Sequence, residues 1–457
     1  MWIIFLLATF ASVIAFNTKH QRLALLIITF LATSGFQLLS VGWFASPVVL
    51  SKPYDYAYLA MFMIFCLNLN RVAKSITSER VGIITTAYLA FIFLVLIVSI
   101  TAFSYPPVQA FQGARVFLWP LFILLFLITD HMALRRYVKT LQPIVIFLSI
   151  LYLLQPLTGK NIINPDSFYF NPYLGATDLK RYLSTPDFLI FFLMLFYYEI
   201  CVGNEKGLGA KLGRWLGVGL LLAVQLVSFT RSALIGTGMV LVYLSKRLLN
   251  SILVAFFLVS IVVAVGVAYS SSSTIQSRID ESMKDITSSM SGDYLSWKPG
   301  TDGNLSFRLA HLNERVAYVY ADVARWPMGI GFIHEDSAAA QNLGFRIGLK
   351  SFYTGRAVQV DTGDIAWSVI VIKTGFIGLA LMLLLMASTF FTVSSSTKKY
   401  AIVYRGGLLY FLLTSFFSIN FIMPSYMLSL TLFLVLAIHE RQDLGMLTIP
   451  DKQNISS

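Results

Sequence analysis

Residues 90 to 100 read AFIFLVLIVSI, and residues 379 to 386 read LALMLLLM. Neither stretch leaves a polar face. A membrane β-barrel strand would alternate apolar and polar residues over about 10 positions, and that alternation is absent here. Helices that are apolar on every side are buried all round or surrounded by lipid.

Working outward, runs of the same kind fill most of the 457 residues. The chain is 57% hydrophobic and 12% charged, with a mean hydropathy of +0.74, well above ordinary soluble domains. Candidate spans lie at about 2–16, 22–45, 56–70, 81–104, 114–129, 141–157, 186–202, 214–229, 232–245, 249–269, 366–392, 406–420 and 423–439. The expectation is an all-α polytopic membrane protein with twelve or thirteen transmembrane helices. Residues 2–16 have no basic segment before them; Lys19 and Arg22 follow, so this stretch reads as the first span and not as a cleaved signal.

The net charge of +12 is explained by topology and not by nucleic acid. With the N-terminus outside, the short inner loops and tail carry eighteen Lys and Arg, and the outer side, apart from one long loop, carries six. That bias orients spans during insertion. Cys66 and Cys201 both fall in apolar segments, which predicts two buried small hydrophobes with no disulfide framework.

The expected organisation is an N-terminal bundle (1–269), a large extracytoplasmic loop (270–365) containing helical segments, C-terminal spans (366–439) and a cytoplasmic tail (440–457). The loop holds 11 of the 22 acidic residues. Its first part is rich in Ser, Gly and Asp and reads as irregular. From Ser306, Leu309, Leu312, Val316, Val319 and Val323 recur at spacings of 3 and 4, predicting a helix with that apolar stripe inward. Arg308, His311, Arg315, Tyr318 and Asp322 form the opposite face, and Pro327 ends the helix. A second outer loop, 158–185, is rich in Tyr, Phe, Asn and Pro and suits a lid or a sugar-stacking surface.

Several residues carry candidate chemistry. Arg231, in SFTRSALIGTG, sits between two apolar runs at the outer boundary, where an arginine either snorkels or offers a bidentate fork to phosphate. Arg308 and Arg315 lie on one helix face with His311 between them; they suit a diphosphate or form a solvated face. The glycines of WPMGIGF (326–332) either permit close backbone approach or close the helix. Asp361 and Asp364 stand just before a span, as a general base with a raised pKa or as helix N-caps. Arg346 and Arg356, with Lys350, Phe352 and Tyr353, form a lesser basic and aromatic cluster. The adjacent His334, Glu335 and Asp336 do not complete a metal-ligand spacing, and neither a metal nor a cofactor is expected.

The order of these features resembles the O-antigen ligase and polymerase superfamily, membrane glycosyltransferases acting on undecaprenyl-diphosphate-linked glycans. The resemblance covers about 214–392: SFTRSAL before a span, a long outer loop with arginines, then PxGxGF, then a motif entering a span with GxxG at Gly375 and Gly378. Ligases carry a His in that last motif; here its place is taken by Asp364, which looks more like the repeat-unit polymerases. The resemblance implies a bacterial inner-membrane enzyme with its site facing the periplasm. Transfer would be metal-independent, from undecaprenyl diphosphate to a lipid-linked acceptor. It implies Asp364 or Asp361 as base and Arg231, Arg308 and Arg315 on the diphosphate, with His311, Arg346 and Arg356 as secondary contacts. Lipid-linked oligosaccharide, membrane lipids, a chain-length regulator and a flippase are the partners it suggests. A ligase, and a transporter for the same lipid-linked sugars, are the alternative readings; the missing internal repeat argues against the transporter.

Overall fold

A computed structural model of the chain describes residues 1–46, 50–166, 182, 184–202, 207–228, 230–248, 280, 284, 287, 304–348, 357–361 and 365–447. These residues are helical with short connections, and no β-strand occurs among them. In chain order the helices are α1 (Trp2–Asn17), α2 (Gln21–Ala32), α3 (Pro53–Leu67), α4 (Leu69–Ser78), α5 (Arg80–Thr101), α6 (Pro107–Ala114), α7 (Leu121–Leu127) and α8 (His131–Thr158). They continue with α9 (Leu189–Val202), α10 (Leu208–Val227), α11 (Arg231–Leu248), α12 (Asn304–Tyr320), α13 (Ala366–Val393), α14 (Lys399–Thr414) and α15 (Pro424–Leu447).

Among the described residues, four helices are long and apolar enough to cross a membrane, and six if two bent pairs each count as one span. This is an all-α, multi-pass membrane protein. Among the described residues a helix overlaps each run expected to span, but several are shorter than a straight span or bent. α3 and α4 meet at 93°, and α6 with its 3-10 extension meets α7 at 57°. The second bend falls at Leu118 to Pro120, where proline cannot donate to the preceding turn. α1, α2 and α9 are apolar but shorter, and the run at 249–269 lies outside the described residues.

α13 packs between α5 and α12, while α14 is enclosed by α9, α11 and α15. The core is rich in aromatic rings, as where Phe191 of α9 stacks on Phe433 of α15 at 5.1 Å. Cys66 is exposed, contrary to its expected burial, because it lies on the outward face of α3, where an apolar side chain needs no protein partner if lipid surrounds it.

Candidate functional site

The N-terminal part of α13 organises the site. At Gly375 the backbone turns to φ 65°, ψ −166°, a conformation closed to residues with a Cβ. In an unbroken helix the Phe376 N–H would donate to the Ile372 carbonyl. Here that bond is open, and the loop takes both halves: Phe376 N donates to Trp326 O at 2.7 Å, and Ile330 N donates to Ile372 O at 2.9 Å. The segment WPMGIGF is thus docked into the break. Close approach requires Gly329, whose φ is +61°; a Cβ there would lie 2.2 Å from Ile372 O. The same segment continues under α5, where Phe332 N donates to Ser99 Oγ at 2.8 Å and the Phe332 ring packs on Phe117 at 5.4 Å.

Two residues above the break, Lys373 projects from an apolar helix and is ion-paired with Asp361. Its side chain is 1% exposed, that of Asp361 36%. Asp361 also accepts from Glu335 N at 3.1 Å. The Glu335 carboxylate in turn accepts from the backbone N–H groups of Gln359, Val360 and Asp361. Burial alone would raise the Asp361 carboxyl, but the Lys373 ammonium, His334 and the Glu335 N–H together hold it below the usual carboxylate range. Glu335 therefore fastens backbone to backbone, and among the described residues no three His, Cys, Asp or Glu side chains gather as metal ligands.

The buried face of α12 differs in part from the sequence expectation: Val319 is buried as expected, but Leu309, Leu312 and Val316 are only half-buried and polar residues share the inner face. Ser306, Ala310, His311, Arg315 and Val319 are buried, whereas Val323 is 70% exposed. Apolarity is a poor guide to the inner face here, because the polar side chains find partners inside. His311 Nδ1 lies 3.0 Å from Ser368 Oγ on the first turn of α13. Burial, and then the nearby Arg315, push the His311 imidazole down to about 2, so it is neutral at physiological pH. Arg315 donates to the carbonyls of Ile347, Val358 and Gln359 and to the Glu314 carboxylate, with its guanidinium 4.5 Å from the Phe345 ring. It clamps the loop from within, and its forked donors already have protein acceptors.

Arg315→Met is therefore expected to leave those carbonyls unpaired and to loosen the loop by about 3 kcal/mol. Limited proteolysis between 346 and 360 in detergent measures this. Unchanged protection would contradict the clamp.

Arg308 lies over the Phe417 ring at 5.4 Å, in the connection between α14 and α15. Trp367 Nε1 reaches Ser415 Oγ in the same connection at 2.8 Å. On α11, Gly236 lies against Tyr410 and Thr414 of α14. The first turn of α11, which begins at Arg231, is thus at the same end of the bundle as Arg308. The Arg231 side chain, Asp364, Arg356, Lys350 and most of the 158–185 loop lie outside the described residues. Arg346 is exposed, its backbone N–H held by Glu314 at 2.8 Å.

Sequence reading missed two features. Lys373 sat unnoticed inside an apolar run, where any ionisable residue is a signal. Arg115 is buried beside Asp55 at 3.2 Å and Ser51 Oγ at 2.7 Å, with the half-buried Lys52 next to it. Burial, and then Arg115, lower the pKa of Lys52.

The geometry defines a multi-pass helical membrane protein whose loop backbone is built into a broken span. The chain matches no protein-family model and no curated protein.

Proposed function

We propose that this protein is a polysaccharide repeat-unit polymerase of the bacterial inner membrane. It transfers a glycan from undecaprenyl diphosphate to a second lipid-linked glycan on the periplasmic side. The observation that supports this reading is the docking of residues 326–332 into the break at Gly375. Motifs far apart in sequence meet there, next to the Lys373–Asp361 pair, with His311 held at Ser368 nearer the start of α13 and Arg308 at Phe417.

In the proposed reaction a hydroxyl of the acceptor sugar attacks the anomeric carbon of the donor. The bond from that carbon to the phosphate oxygen breaks, and undecaprenyl diphosphate leaves with the electron pair. Arg308 and Arg231 are the cations proposed to stabilise the departing diphosphate, a charge-assisted role that grows as negative charge develops. Arg315 is less suited, since its Nη1 and Nη2 donors are engaged. The hydroxyl proton goes to Asp364, the residue in the frame of the GxxG motif. Asp361 is the weaker base because Lys373 holds it ionised and occupied.

Purified protein in detergent, given lipid-linked repeat units and no partner, is expected to form polymer. Asp364→Ala is expected to lower the rate by about 10²- to 10⁴-fold. Deleting the gene should leave single repeat units at the cell surface. Long chains accumulating on the carrier lipid would point to a ligase, and surviving full-length polymer would sink the proposal.

A further inference from the structure

We infer that the corner between α12 and the docked segment, residues 320–326, is seated in the lipid interface of the membrane. The broken span carries this, independently of the glycan chemistry proposed above.

Below the break, Phe376–Val393 is 18 residues of apolar helix, about 27 Å at 1.5 Å per residue. That nearly matches a hydrocarbon core of about 30 Å. The break at Gly375 therefore marks one boundary of the core, and Lys373 falls just outside it. The neighbouring span α5 agrees: Ser99 and Phe103, at its end, touch the same docked segment at Phe332 and Gly331. Two spans thus place residues 326–332 at one level, the edge of the hydrocarbon.

What the corner presents at that level is apolar and uncovered. Tyr320 is 65% exposed, Val323 70% and Trp326 39%. The Tyr320 and Trp326 rings are stacked, 5.6 Å apart and 18° from parallel. Trp326 Nε1 donates to Tyr320 O at 3.0 Å, so the indole can enter an apolar medium without an unpaired donor. Trp326 also meets Phe376 of α13 edge to face at 6.3 Å. The patch runs on into the exposed Ile377 of α13 and, on the α5 side, Phe103. An outward apolar surface continuous with the flanks of two spans fits lipid, and stacked Tyr and Trp are the side chains that favour the headgroup boundary. Arg325, paired with Asp322 at 3.3 Å and lying over the Tyr318 ring, adds a cation where lipid phosphates lie.

The test uses full-length protein in phospholipid vesicles, with Cys66→Ser and Cys201→Ala. A single cysteine, Val323→Cys or in a second variant Ala324→Cys, carries an environment-sensitive fluorophore. Ile377→Cys serves as the lipid-facing control and Asp336→Cys as the aqueous one. Nitroxide lipids labelled near the headgroup should quench the 323 and 324 probes about threefold more than the 336 probe, with iodide quenching correspondingly weaker. Iodide and lipid quenching equal to those at 336 would overturn the inference. Shielding from both quenchers would also overturn it, assigning the patch to a second copy of the chain.

Discussion

Gly329→Val is expected to expel residues 326–332 from α13. Its side chain would meet the Ile372 carbonyl at 2.2 Å, and its backbone would have to hold φ at +61°. Left-handed strain in a β-branched residue and overlap with a backbone oxygen together cost about 3 to 5 kcal/mol. The helices need not unfold, so the readout is local: faster proteolysis and hydrogen exchange in 320–335, with the thermal transition of the bundle little changed. Gly375→Ala reaches the same end by the opposite route. It favours an unbroken helix by about 1 kcal/mol and lets Phe376 N return to Ile372 O. If either variant keeps the wild-type protection of 326–332, the docked arrangement is wrong. Both variants should also abolish polymer formation if the proposed function is correct.

The Lys373–Asp361 pair yields an ordered prediction, because its partners are unequally buried. Asp361→Leu strands a lysine that is 1% exposed and is expected to cost about 3 to 5 kcal/mol. Lys373→Met strands a carboxylate that is 36% exposed, which water can solvate, so the cost should be smaller. The double variant, which strands neither charge, should recover most of the loss. Thermal denaturation in detergent measures all three; a double variant as unstable as Asp361→Leu would exclude the ion pair as the cause. The pH dependence has a fixed sign. With the carboxyl depressed in the folded protein, the stabilisation is present at neutral pH and is lost as pH falls below about 4.

Membrane helices were legible in the sequence because runs such as 90–100 and 379–386 are apolar on all sides. Their bends were not, since one such as that at Asn68 depends on packing. There the side chain bonds to Ile64 O of its own helix and to Asn17 Oδ1 of α1. The existence of α12 was readable from its period, but the inward turn of its polar residues was not. Arg315 and His311 turn inward for partners at 347, 358, 359 and 368, and one-dimensional periodicity carries no information about those. Glycines 329 and 375 could be noticed one by one; that each exists to admit the other's backbone is visible only in three dimensions. Arg308 and Asp361 could be nominated from charge and position, whereas the lysine that restrains Asp361 was hidden by its hydrophobic neighbours.

The opened bond between Ile372 and Phe376 also dictates an order of assembly. A bare carbonyl and amide are costly even at the edge of the hydrocarbon, so α13 is expected to enter the membrane as a continuous helix. Synthesis runs from the N-terminus, and residues 326–332 are therefore made before their receptacle exists. The break can form only when the waiting segment exchanges into it. Maturation of this protein is thus expected to end with a segment of loop replacing a helix's own bond, a step that follows insertion and does not accompany it.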